Sequence, residues 1–114
     1  MILLSLLSIG ACGGEQPTAA PEVYTARGLV HGVTGDEVSV QHEMIPAFKG
    51  RDGAAQDMMS MTMGFGIAEG VDRAALKADT KISMTFDVVW ERRPALQLKK
   101  YEVLPAGTEL KLAP

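Results

Sequence analysis

The chain has 114 residues, a formal net charge of −3, 46% apolar and 22% charged residues, and a single cysteine. That length holds one domain with a core large enough to fold without disulfides, and the acidic balance speaks against nucleic acid, which favours a basic face. Aromatic residues make up only 5% of the chain, so the core has to be built from aliphatic side chains and methionine.

The apolar run Met1 to Ile9 falls far short of the roughly 18–20 residues that span a bilayer and reads as the hydrophobic region of an export signal. Ile9-Gly10-Ala11-Cys12 resembles a bacterial lipobox, whose cysteine is lipidated and becomes the mature N-terminus. Gly13 to Pro21 follows as a polar, flexible tether. The expected division is signal peptide and lipobox over 1–12, tether over 13–22 and a folded domain over 23–114. The rival reading is an apolar N-terminal strand with an incidental thiol, and no Lys or Arg precedes the run. A lipobox implies a periplasmic protein held to the bacterial membrane by its lipid alone, the outer membrane in preference to the inner. Cys12 is then consumed by the anchor, which leaves no thiolate for catalysis or metal binding.

Val23 to Val33 is rich in strand formers, and its glycines, Gly28 and Gly32, predict a bulge or sharp bend. Thr34 to Glu37 is a turn, and Val38 to His42 alternates so that His42 shares the face of Val38 and Val40. Pro46 is expected to end this strand, and Ala47 to Gln56 to form a loop. A third strand carries Met58-Met59-Ser60-Met61-Thr62-Met63-Gly64-Phe65 and runs to about Ile67. Asp72 to Lys77, with its acidic start, predicts a single helical turn. Two more strands, Thr80 to Trp90 and Leu96 to Leu104, flank a turn at Glu91 to Pro94, where Arg92 and Arg93 read as solvated. Ile82, Met84, Phe86 and Val88 share one face of the first; the facing of the last strand is less clear. The expected fold is all-β, a small five-stranded antiparallel OB-like barrel with one helical turn after the third strand, against a five-strand sandwich as the alternative.

Enzymatic signatures are absent: the chain has no G-x-S-x-G elbow, no phosphate-cradling glycine loop and no H-E-x-x-H pair, since residue 46 is proline. Asp36, Glu37 and Glu43 read as solvated carboxylates, and His31 as a surface or rim residue. The protein is not expected to be an enzyme. The methionines stand apart. On a strand, Met59, Met61 and Met63 point to one side, with Phe65 continuing the row. A thioether is a soft, neutral donor that selects Cu(I), and by the same logic Ag(I), and has no proton to lose at acid pH. His42 on the neighbouring strand is the obvious third donor. The same residues serve equally well as irregular core filler, with Met44 as loop packing, and spacing alone leaves both readings open.

His42-Glu43-Met44-Ile45-Pro46, then Met58-x-x-Met61-Thr62-Met63-x-Phe65, with Tyr24 and Gly28 upstream, resembles the periplasmic copper/silver-binding domains of the CusF type over roughly Tyr24 to Leu104. The resemblance implies a five-stranded OB-like barrel that binds Cu(I) or Ag(I) through a histidine and the two methionines of M-T-M, here His42, Met61 and Met63. Met58 stands where well-known members carry a tryptophan lid, and Met58 or Met59 is a candidate further sulfur. The only tryptophan, Trp90, is on another strand, and the Pro46–Met58 spacing is wider than usual. The implied role is a monomeric metallochaperone that hands copper to an efflux system for copper tolerance. The alternatives are delivery to an oxidase-assembly protein of the Sco type, and a metal-free adaptor barrel in an envelope assembly.

Overall fold

The computed structural model describes residues 21–113, so the lipobox and most of the tether lie outside the described residues. These residues form seven strands: β1 (Glu22–Thr34), β2 (Glu37–His42), β3 (Ile45–Lys49), β4 (Ala55–Met58), β5 (Met61–Ile67), β6 (Lys81–Val88) and β7 (Leu96–Val103). Five of them close a barrel in the order β1-β2-β5-β7-β6, while β3 and β4 make a separate two-stranded sheet.

The expected all-β, five-stranded barrel is present, but it is not wholly antiparallel. The β5–β7 pair, Gly66 with Gln97 and Ile67 with Leu98, runs parallel. The reason is topological. Strand directions cannot alternate all the way round a closed ring with an odd number of members, so one parallel seam is unavoidable. The segment before β6 carries no helix either. Asp72 Oδ1 accepts from the Ala74 N–H at 2.9 Å, and tight turns such as Leu76 N–H to the Arg73 carbonyl at 3.0 Å replace the expected helical turn. Its one buried side chain, Leu76, joins the core.

The core is aliphatic with a small aromatic centre. Val30, Val38, Val40, Phe65, Ile82, Met84, Phe86 and Leu98 are all essentially inaccessible, and Phe65 meets Phe86 edge-on at 5.0 Å between centroids. The bulge expected in β1 falls between Val30 and Gly32. A second bulge accounts for the ambiguous facing of β7. Phe86 pairs with Leu98 but Thr85 with Lys100, so Lys99 is an extra residue. Leu96 and Leu98 face inward before it, and the half-buried Tyr101 resumes inward packing after it.

Pro46 does not end the β-structure. Ile45 to Lys49 pairs back with Ala55 to Met58, because Ile45 and Phe48 have core to cover. Phe48 packs on Tyr24 at 4.9 Å and edge-on to Trp90 at 6.3 Å, and Arg51 lies over the Trp90 ring at 5.2 Å. Arg92 is not a solvated turn residue: its Nη2 donates to the buried Asp87 carboxylate at 2.5 Å and to the Ala95 carbonyl at 2.9 Å. Arg93 is exposed. No helix among the described residues is long and apolar enough to cross a membrane.

Candidate metal centre

The β2–β5 ladder places the candidate ligands. It pairs Val38 with Phe65, Val40 with Met63 and His42 with Met61. Residues paired across an antiparallel ladder share a face with Cβ atoms about 4.5–5.5 Å apart, and diagonal neighbours about 7–8 Å apart. His42, Met61 and Met63 therefore stand together on one face, at the end of the ladder remote from Val38 and Phe65. The face runs from core to surface: Phe65 is sealed, Met63 is half-buried and Met61 is 50% exposed. Met61 is thus not sealed in the core as Phe65 is.

His42 is fully buried, and its Nε2 has no hydrogen-bond partner. Its Nδ1 lies 2.6 Å from the Glu43 carbonyl oxygen. A carbonyl only accepts, so Nδ1 carries a proton, and in the neutral ring the Nε2 lone pair is left free. An unsatisfied buried polar atom costs about 1–3 kcal/mol, which a bound cation would recover. The neutral tautomer with an oriented ring is the state in which imidazole ligates a metal.

Glu43 is itself held from every side. Its N–H donates to the Arg27 carbonyl at 2.9 Å, and its carboxylate accepts from Arg27 Nε at 2.9 Å and Nη2 at 2.8 Å and from the Lys111 N–H at 2.8 Å. The Arg27 bond, opposed in part by burial and aided by Lys111, holds the Glu43 pKa below the usual carboxylate range, and the same pair raises that of Arg27. The expected solvated carboxylate is thus the brace of the His42 carbonyl contact. Only its position beside His42 marked it in the sequence.

The other candidates separate. Met58 pairs with Ile45 and packs half-buried against the core, whereas Met59 is 67% exposed. Trp90 sits with Phe48 and Arg51. His31 is on the outer surface, with Nε2 3.1 Å from Gln41 Oε1. Among the described residues no three His, Cys, Asp or Glu side chains converge on a metal-sized site; the soft donors that share the ladder face of His42 are the thioethers of Met61 and Met63. The long β3–β4 excursion leaves and rejoins the barrel at the paired residues His42 and Met61, and so the insertion leaves their register intact.

No protein-family model and no curated protein matches the chain. Among solved structures, apo-CusF from Escherichia coli is 20% identical with a TM-score of 0.57, over 82% of this chain and 100% of that one. CusF-Ag(I) from Escherichia coli is 21% identical with a TM-score of 0.57, over 76% of this chain and 98% of that one. The C-terminal domain of SilB from Cupriavidus metallidurans is 19% identical with a TM-score of 0.52, over 76% and 96% respectively. The barrel that carries His42, Met61 and Met63 has the fold of CusF and of the SilB C-terminal domain.

Proposed function

We propose that this protein is a periplasmic metallochaperone that binds one Cu(I) or Ag(I) through His42 Nε2 and the sulfurs of Met61 and Met63, and passes it to an efflux system. The observation that carries the reading is the buried, unpartnered Nε2 of His42 beside Met61 in the strand ladder. CusF, which shares the fold, has been solved with Ag(I) bound. The donors are neutral and soft, which suits a monovalent d¹⁰ cation and disfavours Mg²⁺ or Ca²⁺. With Met61 half in water, the ion is reachable by a partner's ligands, and transfer proceeds by exchange of one thioether for another. The role is carriage, with no reaction catalysed. Anchoring through Cys12 places the carrier at the membrane, where an exporter would receive its cargo.

Titration of the reduced protein with Cu(I), against a chelator strong enough to leave only the tight site filled, should give about one equivalent bound. Met61→Leu with Met63→Leu should abolish that binding while the barrel stays folded. A wild-type protein that takes no Cu(I), or a double variant that keeps wild-type affinity, overturns the proposal.

A further inference from the structure

Met44, Met59 and Met61 are 45%, 67% and 50% exposed, and they are three of the five large apolar side chains exposed among the described residues. Single exposed apolar side chains need no explanation, but these three lie at or between the last pair of one ladder, His42 with Met61, and the first pair of the next, Ile45 with Met58. The register that pairs His42 with Met61 is the one that pairs Ile45 with Met58, with no slip across the two short connectors between the ladders. Two connectors of equal length, residues 43–44 and 59–60, join the ladders, and the same register continued across them would set Met44 opposite Met59 and Glu43 opposite Ser60. Met44 lies two residues outward from His42, and Met59 two residues outward from Met61. The connectors are also pinned. Glu43 is tied to Arg27 and Lys111, and Ser60 Oγ accepts from the Ala113 N–H at 2.8 Å. The methionines beside them face water.

We propose that Met44 and Met59 form a second, outer site for a soft monovalent cation, at which Cu(I) or Ag(I) is held one step away from His42, Met61 and Met63. This rests on the copper/silver reading above. Two thioethers from facing connectors give a low-coordinate clamp of the donor type that soft cations select. Without an imidazole, and with both sulfurs in water, the outer site is the weaker one. A cation entering or leaving would then pass from one thioether set to the next without a fully hydrated state between.

The test is a titration with Ag(I), without a competing chelator, of protein labelled with carbon-13 at the methionine methyls. The first equivalent should move the Met61 and Met63 signals, and the second those of Met44 and Met59. Met44→Leu with Met59→Leu should reduce the total from about two equivalents to about one and spare the first. Saturation at one equivalent with the Met44 and Met59 signals unmoved overturns the outer site and leaves the inner one standing. Movement of all four signals together in a single step overturns it too, because the four sulfurs then belong to one site. If no methionine signal moves at all, the copper/silver reading falls with it.

Discussion

At one end of the β2–β5 ladder Val38 faces Phe65, both fully buried; at the other His42 faces Met61, one buried with an unpartnered nitrogen and the other half in water. The same alternation builds both ends. What differs is what closes over them. Phe65 lies under Phe86, whereas the ladder at Met61 leaves the barrel and continues into the connectors to β3 and β4. One row of side chains thus passes from core to candidate site without any change of pattern, and the candidate site is marked by incomplete burial and an unsatisfied polar atom. Hydrophobic periodicity alone marks neither.

The core end should be the more costly to damage. Phe65→Ala removes a fully buried ring and should cost about 3–5 kcal/mol, a large share of the roughly 5–15 kcal/mol that holds a domain together. Chemical denaturation measures it. A loss under about 1 kcal/mol would mean that the ring is not the keystone its burial implies.

Gly28→Ala tests the wall between the two ends. A Cβ at Gly28 would sit 2.6 Å from Val40 Cγ1, 2.8 Å from the Gln41 carbonyl oxygen and 3.1 Å from His42 Cα. Backbone atoms cannot swing aside, so β1 must move off β2 beside His42. Overpacking of this kind costs about 1–3 kcal/mol, and Cu(I) affinity should fall with stability because the shift is centred on the proposed ligand His42. Unchanged affinity in a destabilised variant would separate the wall from the site.

The methionine end should respond in the opposite way. Met61→Leu with Met63→Leu keeps volume and apolarity, and it should cost less than about 1.5 kcal/mol by the same denaturation while removing the metal. If the double variant instead unfolds, the sulfurs are packing, and the two ends of the ladder are the same kind of structure.

The strands that frame this contrast were legible in the sequence. Alternation along Val38–His42 and Met61–Ile67 predicts both strands and puts His42 with the methionines, and Ile82 to Val88 gives a core face. Three features were not legible, the first two because a long-range pairing overrides a local signal. Pro46 looks like a terminator, yet the strand runs through it and carries Phe48 onto Tyr24 and Trp90. The β7 pattern breaks at a bulged residue, Lys99, that only the register with β6 reveals. Asp72 to Lys77 has helical composition but is too short to hold a helix on its own, and local turns take its place. At the site, sequence nominates ligands but not their support, since the tie between Arg27 and Glu43 crosses 16 residues.

The smallest expected effect concerns the tail after β7. Lys81 Nζ donates to the Ala106 carbonyl at 2.7 Å and the Thr108 carbonyl at 2.6 Å. The Lys111 N–H then reaches Glu43, the Ala113 N–H reaches Ser60 Oγ at 2.8 Å, and Gln41 Nε2 donates to the Ala113 carbonyl at 3.0 Å. Glu43 and Gln41 adjoin His42, and Ser60 adjoins Met61, so the tail ties together the chain neighbours of two proposed ligands and nothing at the Val38–Phe65 end. Ser60→Ala deletes one exposed acceptor and should cost about 0.5 kcal/mol, near the limit of denaturation measurements. Amide hydrogen exchange resolves it better. If the tail is one strap, the Ala113 and Lys111 amides should both exchange faster in the variant, although only the first loses its partner. Faster exchange at Ala113 alone would make these contacts independent, and the tail would then brace Glu43 without linking β2 to β5.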